Sequence, residues 1–394
     1  MTDSAAASPV ISAADRIDTL RLSQTMGVGP INFARLMTQY GSAGAALAAL
    51  PGRMRKAGRR DDPAIPSVSR MTDELERLEK LGGKMLVRGD ADYPLLLSHV
   101  PDAPPVLFAL GDVRKLSMRS VGVVGARNAS AAGIRIAESL SAEMAHAGIC
   151  VVSGLARGID SAAHAAALHP GLTVGAIAGG LDHAYPPENA SLQQQIAEKG
   201  CLVTEALLGT APQARHFPRR NRLIAGISSG CLIIEAALAS GTMITADLAQ
   251  SYNRELLVVP GSPLDPRSRG GNHLLKTGQA TLTENIADIL QALPTELPER
   301  EPAPWQRSAR QNPPLTGFSE PSLAWGDLPD TGWIDPDLVQ QSVRSLLSVT
   351  PVAVDDVVRR CQFSVSAVLA TLAELELGGV VEFVPGGRVA LLPN

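Results

Sequence analysis

Residues 120–160 carry the stretch that decides the fold, SVGVVGARNASAAGIRIAESLSAEMAHAGICVVSGLARGID. Short apolar runs at Val121–Val124 and Ile149–Val152 flank a segment, Ala131–Ala147, whose apolar residues recur with helical spacing. This order is typical of two parallel buried strands joined by a crossover helix. The stretch therefore predicts one strand–helix–strand unit of an α/β sheet.

The alternation of short apolar runs with helical segments continues towards the C-terminus. Four further apolar runs follow at Thr173–Ala178, Cys201–Val203, Cys231–Ile234 and Leu256–Val259. Helical stretches separate several of these runs, at Ile159–Leu168, Asn189–Lys199 and Thr242–Tyr252. Six buried strands that alternate with helices predict an α/β fold with an extended, Rossmann-like, mostly parallel sheet. Such sheets bind ligands outside the carboxyl ends of their strands, so the loops there are the first candidates for a site.

The chain divides into four predicted segments around this sheet. They are a small N-terminal helical domain at 12–80, a Rossmann-like domain at 85–290, a proline-rich linker at 292–336 and a C-terminal winged-helix domain at 337–394. In the first, Met26-Gly-Val-Gly-Pro30 resembles the turn of a helix-hairpin-helix and also fits an ordinary tight turn. Because Trp305, Trp325 and Trp333 lie in the linker, we expect part of it to dock on a domain.

Length and composition exclude several classes of protein. The 394 residues are 45% hydrophobic and 19% charged, which suffices for a sizeable core and excludes a wholly disordered chain. The net charge of −4 argues against a protein that is basic overall, so an anion-binding surface must be local. The four cysteines form no CxxC pair, and we expect no metal or cofactor. Without a signal peptide or a long apolar run, a cytoplasmic protein with no membrane partner is expected.

Anion-binding features recur in the loops that follow the predicted strands. In the first loop, Gly125 permits a tight turn, Arg127 can clamp an anion, and Ser130 can cap the next helix. The second loop repeats this pattern with Ser153, Gly154, Arg157 and Gly158. A structural alternative for the second loop is that Arg157 pairs with Asp160 or with another acid.

The most informative segment is His216–Arg222. No acidic residue occurs from Ala206 to Ile234, whereas arginines supply four positive charges around a helix start expected at Pro218. The candidate phosphate-binding residues are Arg219, Arg220, Asn221 and Arg222, with Ser240, Gly241 and Thr242 in a later loop. Phe217 can stack on a base, although core packing explains it as readily. Donors repeated along one sheet edge favour a polyanion over a single nucleotide.

Six ordered motifs within residues 85–285 resemble the DNA-processing protein A family, also called DprA or Smf. The motifs are Val124–Arg127 with Ser130, Ser153–Asp160 with His164, Tyr185–Asn189, Phe217–Arg222, Ser240–Ala246 and Val259–Gly261. The family's usual first motif has serine where this chain has Ala126, and the change removes one possible hydrogen-bond donor.

The resemblance implies an extended Rossmann-like domain that binds single-stranded DNA without sequence preference. Members of the family protect incoming single strands in natural transformation, help to load the RecA recombinase, and form homodimers through the Rossmann-like domain. No catalysis or metal is attributed to them. By motif position, the resemblance assigns DNA contact to Arg127, Arg157 and the cluster Arg219–Arg222.

Two enzymatic interpretations remain open. A nucleotide-processing Rossmann enzyme, such as a nucleoside-monophosphate phosphoribohydrolase, has similar glycine-rich loops. However, Pro260–Pro266 lacks the PGGxGTxxE stretch typical of those enzymes. Asp160 and His164 lie one helical turn apart, which suggests either acid–base chemistry or a hydrogen bond at the edge of the core.

The C-terminal domain is an unusual candidate for reading duplex DNA. Residues 337–394 contain four arginines and six carboxylates, a net charge of −2. The expected recognition helix, Ser364–Leu377, has no lysine or arginine, which major-groove recognition normally needs. We therefore expect this domain to contact protein, and the alternative of a winged-helix transcription factor is disfavoured.

Overall fold

Buried strands and crossover helices build one large sheet in the middle of the chain. The structure is a computed structural model that describes residues 12–56, 64–300, 303, 305, 336–361, 363, 365–384 and 386–392. In these ranges the sheet strands are β1 (Gly83–Val87), β2 (Val106–Gly111), β3 (Ser120–Gly125), β4 (Cys150–Ser153), β5 (Thr173–Ala176), β6 (Cys201–Thr204), β7 (Gly230–Ile234), β8 (Glu255–Val258) and β9 (Thr281–Leu282). Their spatial order is β1-β2-β6-β5-β4-β3-β7-β8-β9.

All six strands predicted from the apolar runs are present, as β3 to β8, and they pair with one another in parallel. The structure adds β1 and β2, which run antiparallel and extend the sheet beyond β6, and the short β9 at the opposite edge. The prediction of an α/β fold with a mostly parallel sheet is thus confirmed. The hairpin-like pair β1 and β2 escaped prediction because only a one-turn helix, α5 (Leu95–Ser98), lies between the two strands.

Helices cover both faces of this sheet. They are α6 (Ala131–His146), α7 (Ile159–Ala167), α8 (Ala190–Lys199), α9 (His216–Ile227), α10 (Gly241–Ser251), α11 (Arg269–Lys276) and α12 (Ile286–Ala292). Alternation along β3 places Val121 and Val123 in the core beneath α6, and Val124 in the core on the other face. Gly125 ends β3 where a Cβ would lie 1.9 Å from the Ile234 carbonyl oxygen, so only glycine fits the first loop's turn.

A helical region precedes the sheet. Its helices are α1 (Ala13–Ser23), α2 (Pro30–Tyr40), α3 (Ala43–Lys56) and α4 (Val68–Lys80). The predicted turn joins α1 to α2, with Gly27 at a φ of +83° and Pro30 as the first residue of α2. The ring of Trp305 meets that of Phe33 edge-on, with centroids 5.4 Å apart. Part of the proline-rich segment therefore docks as expected, whereas Trp325 and Trp333 lie outside the described residues.

The C-terminal region combines helices with a small sheet. Its elements are α13 (Pro336–Ser345), β10 (Val352–Ala353), α14 (Val354–Arg360), α15 (Val365–Leu377), β11 (Val381–Val384) and β12 (Arg388–Leu391). The strands form an antiparallel sheet in the order β10-β12-β11, and the helices share a core with it that includes Val343, Val368 and Leu372. This is the winged-helix arrangement that the sequence predicted. The exact limits of the four segments stay predictions.

Candidate nucleic-acid interface

Helix α9 brings the arginine-rich segment to the carboxyl edge of the sheet. It begins at His216, and Pro218 lies in its first turn, where a missing N–H leaves no helical hydrogen bond unmade. The arginines of α9 enter two different environments, because Arg219 is exposed whereas Arg220 and Arg222 are each only 6% exposed. Burial lowers the pKa of His216, and the cations of Arg215 and Arg219 lower it further. The start of α9 therefore carries positive charge.

Arg222 is held by protein groups rather than presented to a ligand. Its Nε donates to Glu205 Oε1 at 2.9 Å, a second nitrogen pairs with the same carboxylate, and Nη1 donates to the Asp102 carbonyl oxygen at 2.7 Å. Glu205 and Asp102 outweigh the effect of burial, so the pKa of Arg222 is raised. The expectation that Arg222 contacts phosphate therefore needs correction: it fastens α9 to the end of β6.

Arg220 is likewise committed to an internal contact. Its Nη1 lies 3.8 Å from Asp160 Oδ2, and both side chains are buried. Gly154 makes room for this guanidinium, since a Cβ there would lie 1.1 Å from Arg220 Nη1. The Asp160 carboxylate also accepts the N–H groups of Gly154, at 3.1 Å, and Ala156, at 3.3 Å. Of the residues predicted to hold a phosphate in the second loop, Gly154 therefore already binds an aspartate through its N–H.

A glutamate fills the corresponding position in the first loop. Ser130 caps α6 as predicted, accepting the N–H of Gly133 at 2.9 Å. However, the Ser130 N–H donates to Glu235 Oε2 at 2.8 Å, and its hydroxyl bonds to the same carboxylate. A Cβ on Gly133 would lie 2.7 Å from Glu235 Cδ, so the carboxylate covers the start of α6. Ser130 is therefore a partner of Glu235, which the sequence analysis did not foresee.

Two predicted hydroxyl donors bond to the protein backbone. The Ser153 hydroxyl donates to the Val123 carbonyl oxygen at 2.6 Å, deep in the sheet. The Thr242 hydroxyl donates to the Gly125 carbonyl oxygen at 3.2 Å and is 8% exposed. The Ser153 side chain joins β4 to β3, and the Thr242 side chain joins the start of α10 to the end of β3. These bonds account for hydroxyl residues at both positions.

Three further candidates set the shape of the sheet edge. Asn221 donates its side-chain amide to the Gly241 carbonyl oxygen at 3.4 Å, which joins α9 to the start of α10. Ser240 occupies the position before α10. Gly158 adopts a φ of +75° where a Cβ would lie 2.3 Å from the Ala126 carbonyl oxygen. Asn221 therefore connects α9 to α10, and Gly158 brings the loop before α7 against the loop before α6.

Asp160 and His164 are structural. His164 Nδ1 lies 2.7 Å from the Thr173 hydroxyl, and the ring is completely buried. Burial lowers the pKa of His164 to about 3, so the ring stays neutral at physiological pH. His164 therefore makes the hydrogen bond in the core that was the simpler interpretation of this residue, and Asp160 bonds to the loop before α7.

A partly exposed cluster of rings and a cation remains at the same edge, with Phe217 half-buried. We name Phe217, Tyr185 and Arg127 the Phe217 cluster. The ring centroids of Phe217 and Tyr185 are 5.6 Å apart, and Arg127 Cζ lies 5.2 Å from the Phe217 centroid. Tyr185 is 45% exposed and Arg127 is exposed. The sequence analysis placed Tyr185 in a motif without assigning it a role, although its loop follows β5 at the same edge of the sheet.

Arg157 lies beyond this cluster at the surface. Its Nε pairs with the Glu188 carboxylate, and the two side chains are 64% and 46% exposed. A hydrogen bond from the backbone N–H of Glu188, and to a lesser extent the Arg157 guanidinium, lower the pKa of the Glu188 carboxyl. The alternative that Arg157 pairs with another acid is thus confirmed, with Glu188 in place of Asp160. Because the pair is exposed, solvent weakens it and another anion can replace the carboxylate.

Rings, exposed cations and backbone-bonded hydroxyls make this edge suited to stacking and charge pairing.

Within the described residues, no group of three or more His, Cys, Asp or Glu side chains could hold a metal ion. Among the same residues, every helix is too short or too polar to cross a membrane.

Comparisons with known proteins match the whole length of this architecture. Three family profiles match in order: the DprA-like N-terminal HHH domain at 13–76, DNA recombination-mediator protein A at 84–294, and the DprA winged helix domain at 333–387. Protein Smf of Synechocystis sp. is 33% identical over 388 residues, which cover 94% of this chain and 97% of the relative.

Two further relatives cover part of the chain. DNA processing protein DprA of Bacillus subtilis is 42% identical over 210 residues, 53% of this chain and 69% of the relative. The X-ray structure of DNA processing protein A from Streptococcus pneumoniae superposes with a TM-score of 0.60 at 32% identity. It covers 73% of this chain and 100% of its own.

Proposed function

Because this chain belongs to the DNA recombination-mediator protein A family, also called DprA or Smf, we propose that it binds single-stranded DNA and acts as a recombination mediator. The observation that carries the proposal is the Phe217 cluster at the carboxyl edge of the sheet. Two aromatic rings stand 5.6 Å apart beside an exposed arginine. Stacking on rings is available to every base, whereas the bases of a duplex already stack on one another.

Exposed cations around the cluster supply contacts to the phosphates. Arg127 stands beside Phe217, Arg219 is exposed on α9, and Arg157 is exposed at the start of α7. Contacts to phosphate carry no sequence information, so the proposed binding is tolerant of sequence and sensitive to salt. Arg220 and Arg222 hold this surface in shape, and we leave them out of the direct contacts.

We further propose that the protein is not an enzyme. Three titratable groups, Asp160 and His164 in α7 and Glu235 after β7, each bond to the protein itself. The alternative of a phosphoribohydrolase-like enzyme is not favoured, because Pro260–Pro266 lacks the expected motif. Release of free base from a nucleoside monophosphate by the purified chain would restore that alternative.

The remaining parts of the proposal follow from the family. We propose that the protein acts in the cytoplasm as a homodimer, and that it protects incoming single strands and helps to load the RecA recombinase. The acidic winged-helix region fits a protein-contacting role better than duplex recognition, because α15 contains no lysine or arginine.

Fluorescence anisotropy with a labelled oligothymidylate tests the function. We expect salt-dependent binding by the full chain and a much weaker response to a duplex of equal length. Arg127→Ala should weaken binding and lower the salt slope by about 1. Phe217→Ala should weaken binding by roughly five- to a hundredfold, the range for losing one base stack.

Arg114→Ala provides the matched control. The Arg114 side chain is 87% exposed and lies before β3, at the end of the sheet opposite the site. Its removal subtracts the same charge and should leave both the affinity and the salt slope unchanged. Equal effects of Arg114→Ala and Arg127→Ala would reject the proposed location of the site.

A further inference from the structure

A cavity of about 660 Å³ lies where the three folded regions meet. Helix α9 forms one wall with His216, Arg219 and Arg220, and the turn Gly27–Pro30 forms another. The C-terminal region closes the cavity with two carboxylates, Glu376 and Glu382. Ile177 and Arg220 line both this cavity and the narrow slit beside Phe217 and Tyr185, so the cavity adjoins the proposed strand-binding surface.

Specific contacts hold the C-terminal region on the N-terminal helices. The Asn32 side-chain amide donates to the Glu376 carboxylate, and Arg35 Nη1 donates to the Leu369 carbonyl oxygen at 3.0 Å. Leu377 joins the apolar core of the N-terminal helices beside Phe33. We name these contacts between α2 and α15 the docking seam.

The hairpin of the C-terminal region reaches the sheet domain as well. A Cβ on Gly386 would lie 3.6 Å from Leu248 Cδ2 of α10, which is ordinary van der Waals distance. The C-terminal region therefore bridges the N-terminal helices and α10. A single strand that continued from Phe217 along α9 would meet this bridge.

The electrostatics of the docking seam favour a reversible contact. Glu376 is 8% exposed and its hydrogen-bonding partner across the seam, Asn32, is neutral. Burying a carboxylate without a closely paired cation is costly, and the hydrogen bond from the buried Asn32 amide offsets only part of that cost. The Arg219 cation acts on Glu376 through the cavity and favours its charged form. A carboxylate of the protein thus faces an arginine on which we expect a phosphate to bind.

We propose that the docked C-terminal region is an internal competitor of single-stranded DNA. In the docked form, Glu376 and Glu382 line the same cavity as Arg219, and the phosphodiester backbone replaces them there when the region undocks. The cavity wall then becomes a second stretch of the strand-binding surface, continuous with the Phe217 cluster. This inference rests on the proposed function and adds regulation of the same site.

Two seam variants of the full chain test the competition. Glu376→Ala removes the carboxylate and its bond to Asn32, and Arg35→Ala removes the bond to Leu369. Each should tighten oligothymidylate binding about threefold to tenfold, because the apparent dissociation constant falls as the competent fraction rises. Arg35→Ala separates the two explanations more clearly. Because it removes a cation, a purely electrostatic effect would weaken DNA binding, whereas release of the docking seam would tighten it.

Asp356→Ala is the matched control for Glu376→Ala. Asp356 is exposed on α14 of the same C-terminal region and does not line the cavity. The control removes an equal charge and should leave the affinity within about twofold of the wild type. A gain in affinity from Asp356→Ala equal to that from Glu376→Ala, or no gain from either seam variant, would overturn the inference.

Hydrogen–deuterium exchange of the wild-type chain gives a second test that needs no variant. Oligothymidylate should increase exchange in α2 and α15, because binding releases the seam, while the loops around Phe217 become protected. Protection or no change in α2 and α15 would overturn competition even if a seam variant failed to fold. Failure of the proposed function is distinguishable, because the wild-type chain would then bind no single strand and Arg127→Ala would have no effect.

Discussion

Within four residues of α9, arginine serves two different purposes. Arg219 is exposed beside the cavity, whereas Arg220 and Arg222 reach inward to carboxylates. The partners of the inward pair, Asp160 and Glu205, belong to other segments of the chain. An arginine-rich motif therefore contains both ligand-facing cations and internal fasteners, and only the burial of each side chain tells them apart.

Arg222→Met tests the fastening role. We expect the free energy of unfolding to fall by about 3 kcal/mol, because Glu205 and the Asp102 carbonyl oxygen lose a buried partner. Urea denaturation measures this change. Oligothymidylate affinity, measured where the variant is still folded, should stay within about twofold of the wild type.

A second substitution controls for the carboxylate of Glu205 that loses its cation. Adding Glu205→Gln to Arg222→Met should recover part of the lost stability, since the glutamate is no longer left without its cation. Normal stability with strongly weakened DNA binding would instead make Arg222 a direct contact and contradict its assignment as a fastener.

At the scale of elements, carboxylates organise the loops at the carboxyl edge of the sheet. Glu235 accepts the Ser130 N–H at the start of α6, and Asp160 accepts the Gly154 N–H in the loop before α7. Helix starts and glycine turns attract anions, and here the protein supplies its own. The N–H groups of Ser130 and Gly154 are therefore engaged by carboxylates of the protein, at the same edge as the Phe217 cluster.

Gly154→Ala tests how closely the loop before α7 and α9 fit together. The new Cβ would meet Arg220 Nη1 at 1.1 Å, so the guanidinium must move and its pairing with Asp160 is lost. We expect a loss of about 1–3 kcal/mol, the usual cost of overpacking, measured by thermal unfolding.

Gly241→Ala is the matched control for this substitution. A Cβ at Gly241, the first residue of α10, would meet no atom within 4 Å. Alanine there should leave the melting temperature unchanged or raise it slightly, because it favours helix over the unfolded chain. Equal melting temperatures for both variants would contradict the close fit at Gly154.

At the scale of the whole molecule, Glu376 makes docking depend on pH. Burial raises the pKa of its carboxyl to about 7; the Phe383 N–H, Arg219 and Asn32 oppose the rise, and Glu382 adds to it. After undocking, the carboxyl should titrate near its ordinary value of 4.5. The docked form then binds more protons, so its stability is greatest below 4.5 and is lost as pH rises through about 7.

Hydrogen–deuterium exchange of the α2 and α15 amides, compared at about pH 6 and about pH 8, measures this effect. The rates are corrected for the intrinsic pH dependence of amide exchange. The seam should open more at the higher pH, and single-strand affinity should rise with it at constant salt. Glu376→Gln keeps the shape of the side chain and should make docking insensitive to pH over this range. An equal pH response in the glutamine variant would assign the effect to another group.

Much of the fold and the general position of the site could be predicted from the sequence, because these features depend on local patterns. Apolar runs such as Val121–Val124 and Cys231–Ile234 marked six strands, and parallel strands bring their carboxyl ends to one edge. The prediction that loops on this edge form a common surface followed directly. The strands β1 and β2 were missed, because an antiparallel pair has no crossover helix to mark it.

What only the tertiary structure decided is which charges meet. The stretch from Ala206 to Ile234 contains no acid in sequence, yet Asp102, Asp160 and Glu205 reach its arginines in space. Likewise, Asn32 and Glu376 meet although 344 positions separate them. The sequence by itself determined the sheet, its helices and the edge where cations gather, because periodicity and turn chemistry act over a few residues. Ion pairs form between groups that lie a few ångströms apart in space, whatever their separation in sequence. The tertiary structure therefore decides which arginines remain exposed and available to DNA.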